Sequence, residues 1–195
     1  MEADIVKAAL EALRLWGRLD ALVANAGARV YGDLLEATEA DWDKIIGVNL
    51  KGVAYSCRAV LPAMKEQKSG SIVVISSANA LVGRGGMPLY DATKAAVLSL
   101  VRSLAVAHGP EGIRVNAVCP GFTMTDFHAR SAAKAGRTLD DVRAGQKGYG
   151  LLGRPVEPSE IASAVRFLAG PDAAMVTGQT LFVDAGLSVT AGTGK

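Results

Sequence analysis

The run Ile72-Val73-Val74-Ile75 constrains this chain more than any other stretch. Four consecutive β-branched residues favour a strand, and the lack of polar alternation calls for burial on both faces. A strand of that kind belongs in a parallel sheet with helices packed on either side. Ser76-Ser77 follow at once, so hydroxyls stand at the carboxyl end of the strand. Ligands of open α/β sheets bind there. Residues 80–88 are glycine-rich and are expected to form a mobile loop. A helical period then runs over 89–107, stopped by Gly109-Pro110.

The same alternation recurs along the chain. Periodicity predicts a helix over 3–16, with Gly17 as its stop, and a buried strand over 19–24. Thr38 opens a helix with Asp41 three residues on, a capping-box arrangement. A long helix is expected over 48–67, strands over 71–76, 114–118 and 180–183, and a helix over 159–168 capped at Pro158-Ser159. Residues 124–150 are polar with a weak helical pattern and read as a lid over a substrate. The tail from Ser188 is small and polar and is expected to fray. Strands alternating with helices imply an α/β fold with a parallel sheet covered on both faces. The chain has 195 residues, which fits a single domain spanning 1–195.

Composition excludes several classes of function. Half of the residues are hydrophobic and the net charge is +2, with no basic run suited to nucleic acid. No apolar stretch reaches membrane-spanning length. The first sixteen residues lack the basic region and cleavage site of a signal peptide. Cys57 and Cys119 have no metal-ligand spacing, and neither His108 nor His128 has a ligating neighbourhood, so no metal site is expected. The low cysteine count fits a reducing cytoplasm. Cys119 reads as a small buried residue.

Tyr90 and Lys94 are four residues apart, on one face of the helix over 89–107. A phenol has an ordinary pKa of about 10. An ammonium beside it favours the phenolate, which makes the two a proton-transfer pair. Alone, each has a bland alternative: a packed tyrosine and a solvated lysine. Ser77 alone reads as a strand-end cap.

Ser77, Tyr90 and Lys94 together resemble the signature of the short-chain dehydrogenase/reductase family, a serine thirteen residues before Tyr-x-x-x-Lys. Asn25-Ala26-Gly27, Asn49 within VNLKG, Pro120-Gly121 followed by Thr125, and the closing TGQTLFVDAG extend the likeness to within ten residues of the end. The resemblance implies a Rossmann-like fold and an oxidoreductase interconverting an alcohol and a carbonyl on a small molecule with NAD or NADP. It implies that Tyr90 transfers the proton, Lys94 lowers its pKa, Ser77 orients the carbonyl, and Asn49 holds a water linking Lys94 to solvent. Asn25, Ala26 and Gly27 are expected along the adenosine part of the cofactor. Pro120, Gly121, Thr123 and Thr125 are expected around the nicotinamide, with Tyr90 and Lys94. A homo-oligomer formed through the helices over 48–67 and 89–107 is also implied.

The family begins with a strand, a glycine-rich turn and a helix that hold the pyrophosphate. The chain starts after that point of the pattern, so the N-terminal strands are expected to be missing. At about 30 residues per βαβ unit, the difference is roughly 60–80 residues. The strand over 19–24 is then expected at an open edge with a partly bare face. Gly148-Tyr149-Gly150-Leu151-Leu152-Gly153 matches G-x-G-x-x-G as a string, but no strand precedes it and Arg154-Pro155 interrupts the helix. It is expected to be a hinge at the end of the lid. Two further readings stay open: a non-catalytic remnant acting as an interaction module, and a cofactor-independent activity using the same serine, tyrosine and lysine.

Overall fold

A computed structural model describes residues 2–190; most of the tail from Ser188 lies outside the described residues. In order, the chain forms α1 (Glu2–Trp16), β1 (Ala21–Ala24), α2 (Glu39–Ile46), α3 (Gly52–Gln67), β2 (Gly70–Ile75), α4 (Pro88–His108), β3 (Ile113–Pro120), α5 (Asp126–Lys134), α6 (Leu139–Ala144), α7 (Pro158–Ala169) and β4 (Thr180–Val183). The sheet is parallel throughout, in the order β1-β2-β3-β4. This is the α/β, Rossmann-like arrangement that the alternation of strands and helices calls for.

The β-branched run occupies β2, one of the two central strands. Ile72 and Val74 face a core built with Val53, Cys57, Val60 and Met64 of α3 and Val97 and Val101 of α4. Val73 and Ile75 face the opposite layer, against Val118, Leu168, Ile161 and Val165. Successive side chains of a strand point to opposite faces, so a strand covered on both sides needs an apolar residue at every position.

Strand bounds differ from the sequence expectation for local reasons. β1 is shorter, because the Gln67 side chain takes both backbone groups of Leu19, at 2.9 and 2.8 Å. β3 is longer, because β2 pairs with its first part and β4 with its last. β1 lies at the edge of the sheet, and its Val23 is 43% exposed.

Two helices depart from the expected bounds. The helix expected over 48–67 is continuous with α2 through a π-helical turn, Gly47–Lys51, that carries Asn49. Such bulges rotate one turn relative to its neighbours and gather at functional sites. Thr38 and Asp41 form the reciprocal capping box ahead of α2. α7 starts one residue early, with Glu157 as its cap paired reciprocally with Glu160. Its carboxyl end is closed by Arg114, which donates to the carbonyls of Leu168 and Gly170 at 2.7 and 3.0 Å.

Two loops behave differently from their composition. The glycine-rich stretch over 80–88 is pinned rather than loose. Asp91 accepts from Asn79 Nδ2 at 2.8 Å and from Arg84 N–H at 3.0 Å, and Gly32 N–H donates to the Gly86 carbonyl. The stretch 148–153 folds back onto the turn after β4. Leu151 N–H donates to the Ala185 carbonyl at 2.6 Å, and a side chain at Gly150 would collide with Ala185. It thus clamps the end of the segment over 124–150 to the turn after β4, with no helix amino terminus to cradle a phosphate. Among the described residues no helix is long and apolar enough to cross a membrane.

Candidate active site

A cavity of about 640 Å³ opens at the carboxyl ends of β1, β2 and β3. Asn25, Gly27, Ser77, Tyr90, Lys94, Pro120, Gly121, Thr123 and Thr125, expected from sequence, all line it. Ala26 and Asn49 do not. Ala26 is exposed beside the cavity, and Asn49 is fully buried beneath it.

Each side chain arrives from a different element. β2 ends at Ile75, which places Ser76 and Ser77 at the rim. The Ser76 hydroxyl donates to the Lys94 carbonyl at 2.7 Å, tying the strand end to α4. Ser77 caps a short turn, accepting from Asn79 N–H at 3.2 Å, and its hydroxyl acts to lower the pKa of the Tyr90 phenol. Tyr90 stands in the first turn of α4, begun by Pro88, whose missing N–H costs nothing at that position.

Lys94 lies one turn further and is only 4% exposed. Its Nζ donates to the Ile75 carbonyl at 2.9 Å and lies 5.6 Å from the centre of the Tyr90 ring. Burial pulls its pKa down to about 8.

Burial pushes the Tyr90 pKa above its ordinary value, while the Ser77 hydrogen bond and the Arg29 guanidinium act in the opposite direction. The Lys94 ammonium stands over the ring rather than beside the hydroxyl, with its hydrogen bond going to the end of β2. Arg29 was not singled out from sequence. The available signal was a full charge two residues after Asn25-Ala26-Gly27, in a run of small apolar residues.

Asn49 acts as a bracket. Its Oδ1 accepts from Ala28 N–H at 2.7 Å, and its Nδ2 donates to the Ala28 carbonyl and to Thr93 Oγ1, both at 3.1 Å. The loop after β1 is thereby held against α4. A methyl group at Gly27 would lie 3.6 Å from Lys94 Nζ and 3.7 Å from Asn49 Oδ1, so the backbone there passes close over both. Cys119 is fully buried, and burial raises its thiol pKa, as befits an inert packing residue.

His128, on α5, also enters the cavity. Its Nδ1 is 3.1 Å from Thr125 Oγ1, and its ring packs 4.5 Å from that of Phe122. Burial lowers its pKa, with the charges of Arg29 and Arg84 adding to the effect.

A family model described as enoyl-(acyl carrier protein) reductase matches residues 1–188. The 3-oxoacyl-[acyl-carrier-protein] reductase FabG of Thermotoga maritima is 37% identical, over 96% of this chain and 74% of that relative. The chain belongs to the short-chain dehydrogenase/reductase family. The ligand-free aldohexose dehydrogenase of Thermoplasma acidophilum superposes with a TM-score of 0.92 at 31% identity, covering all of this chain and 78% of that one. A structure of ElxO with NADP bound superposes at 0.86 with 30% identity, covering 95% and 74%. The family relationship accounts for the parallel sheet and for oxidoreductases among the relatives.

Proposed function

We propose that this chain is an NAD(P)-dependent oxidoreductase that interconverts an alcohol and a carbonyl on a small molecule. The observation that carries the reading is the convergence of Ser77, Tyr90 and Lys94 on one open cavity at the strand ends. Residues suited to the nicotinamide end of a dinucleotide surround that cavity: the hydroxyls of Thr123 and Thr125, the side chain of Asn25, the Lys94 ammonium, and the small surfaces of Gly27, Pro120 and Gly121. Ala26 stands beside them toward the adenosine side. When bound, the reduced nicotinamide supplies the hydride.

The chain's own residues handle the proton and the oxygen. Ser77 donates to the carbonyl oxygen and stabilises the charge that develops on it. Tyr90 gives its phenolic proton to that oxygen in reduction and takes it back in oxidation. Lys94 places a positive charge within the same buried region, and Asn49 holds the loop that passes over it. The stretch 124–150, with α5 and α6, forms the lid of this one domain and closes the substrate side.

The apolar hollow of Leu61, Pro62, Leu100 and Leu104 between α3 and α4 supports association of two copies through these helices. Two free, buried cysteines accord with a cytoplasmic setting.

Calorimetric titration with NADH and NADPH at millimolar concentration, followed by a screen of carbonyl substrates, tests the reading. Heat that weakens in Lys94→Ala, with nucleotide-dependent turnover, is the expected result. No heat with either nucleotide on a folded sample would sink it and leave a remnant. Turnover without nucleotide would replace it with a cofactor-independent activity.

A further inference from the structure

The cavity carries more positive charge than the proposed chemistry needs. Arg29, Lys94 and Arg166 line it, beside a His128 whose pKa burial lowers, and no Asp or Glu does. Arg29 stands out among them. Its guanidinium carbon lies 4.7 Å over the Phe127 ring of α5, and Nη1 donates to the Tyr31 hydroxyl at 3.3 Å. Among the described residues no ion pair involves it. Its charge is felt by the Tyr90 phenol on one side and by His128 on the other, and His128 also feels Arg84 from the pinned loop. Stacking on one face holds the planar fork beside the Tyr90 phenol, on which it also acts as a hydrogen-bond donor, with its other donors at the mouth of the cavity.

A fixed guanidinium fork with donors at a cavity mouth matches a carboxylate or another oxyanion in bidentate geometry. We propose that Arg29 is the anion-binding residue of the substrate site, and that the substrate is a carbonyl or alcohol compound bearing a carboxylate or similar oxyanion close to the reacting carbon. The closeness follows from Arg29 neighbouring the phenol that serves the reacting oxygen. The substrate is favoured over the phosphates of a dinucleotide as the source of the anion, because Arg29 is stacked on the lid helix α5. This inference rests on the dehydrogenase reading for its reacting carbon, but the anion site can be measured without turnover.

The test is calorimetric titration of the purified chain, without nucleotide, with 2-oxobutyrate and acetoacetate and with the methyl ester of each as the neutral counterpart. At least one acid is expected to bind about tenfold or more tightly than its ester, the scale of a charge-assisted hydrogen bond. Arg29→Met should bring that ratio to within about twofold, and Arg29→Lys should keep part of it, since a point charge lacks the fork. Circular dichroism verifies that both variants fold. Equal affinity for acids and esters, or no binding of any of them, overturns the proposal. So does an Arg29→Met variant that loses NADPH affinity while keeping the acid preference, which would give Arg29 to a cofactor phosphate. Nucleotide-dependent turnover of neutral carbonyls without any acid preference removes this inference alone. An acid preference without nucleotide binding removes the dehydrogenase reading alone.

Discussion

Lys94 Nζ donates to the Ile75 carbonyl at 2.9 Å, so its ammonium is tied to the end of β2 rather than to the phenol of Tyr90 one turn earlier. Burial of that charge lowers its pKa to about 8, against an ordinary value of 10.5. Between these two values the unfolded chain keeps the proton that the folded chain has released. The unfolded state then binds more protons, and stability rises with pH. Below about pH 8 both states hold the proton and the unfavourable contribution is constant. Wild type is therefore expected to gain stability relative to Lys94→Met between pH 8 and 10.5, by up to about 1.4 kcal/mol per pH unit. Denaturant midpoints of both proteins across this range measure it. The difference cancels other titrating groups and the constant cost of leaving the Ile75 carbonyl unpaired in the variant. A flat difference would show that Lys94 is not desolvated as the packing indicates.

Tyr90→Phe is expected to lower kcat/KM by on the order of 10²–10⁴, the usual worth of a positioned proton donor. Ser77→Ala should cost on the order of 10²–10³, as removal of one oxyanion donor does. Neither change creates a large cavity, so both variants should melt close to wild type. Because burial holds the phenol above its ordinary pKa, alcohol oxidation should rise with pH well into the alkaline range, and Tyr90→Phe should remove that rise. Steady-state rates from pH 6 to 10 would show it. An unchanged profile in the variant would take the proton transfer away from Tyr90.

The fold was legible because its signals are local. The run 72–75 could only be a strand buried on both faces, and Gly17, Thr38 and Gly109 mark helix ends through their own backbone chemistry. The cluster of Ser77, Tyr90 and Lys94 was legible because two members share one helix face and the third ends the preceding strand. What escaped was set by contacts distant in sequence. The loop over 80–88 looked loose from its glycines, yet Asp91 fastens it from the first turn of α4. The direction of the Lys94 ammonium depends on where β2 ends. Arg29 gains its position from Phe127, nearly a hundred residues later.

Asn49 should matter more for stability than its distance from the reacting atoms suggests. It is fully buried, and its amide satisfies both backbone groups of Ala28 as well as the Thr93 hydroxyl. Asn49→Ala strands these partners, at a cost of about 1–3 kcal/mol for a buried unsatisfied group. In a chain of this size each kcal/mol lowers the melting temperature by about 2–4 °C. Asn49→Asp keeps the acceptor for Ala28 N–H but loses both donors, and should fall between the two. Thermal denaturation ranks the three proteins, and an alanine variant as stable as wild type would sink the bracket role.

Tyr149 joins the segment over 124–150 to the strand ends. Its hydroxyl accepts from Phe122 N–H at 2.7 Å, and a side chain at Gly121 would collide with that same hydroxyl. Tyr149→Phe keeps the ring but leaves the Phe122 N–H without a protein partner at a part-buried site, a cost of about 1–2 kcal/mol. Most of that cost should appear as local opening of this segment rather than global unfolding, because the clamp links α5 and α6 to the sheet through few other bonds. Trypsin should then cut at Arg130, Lys134, Arg137, Arg143 or Lys147 about 5–30-fold faster than in wild type, the population ratio that this energy implies. The global melting temperature should move much less. Equal cleavage rates in the two proteins would assign the anchoring to the Leu151–Ala185 hydrogen bond and to the pairing of Met124 and Phe122 with Val156 instead.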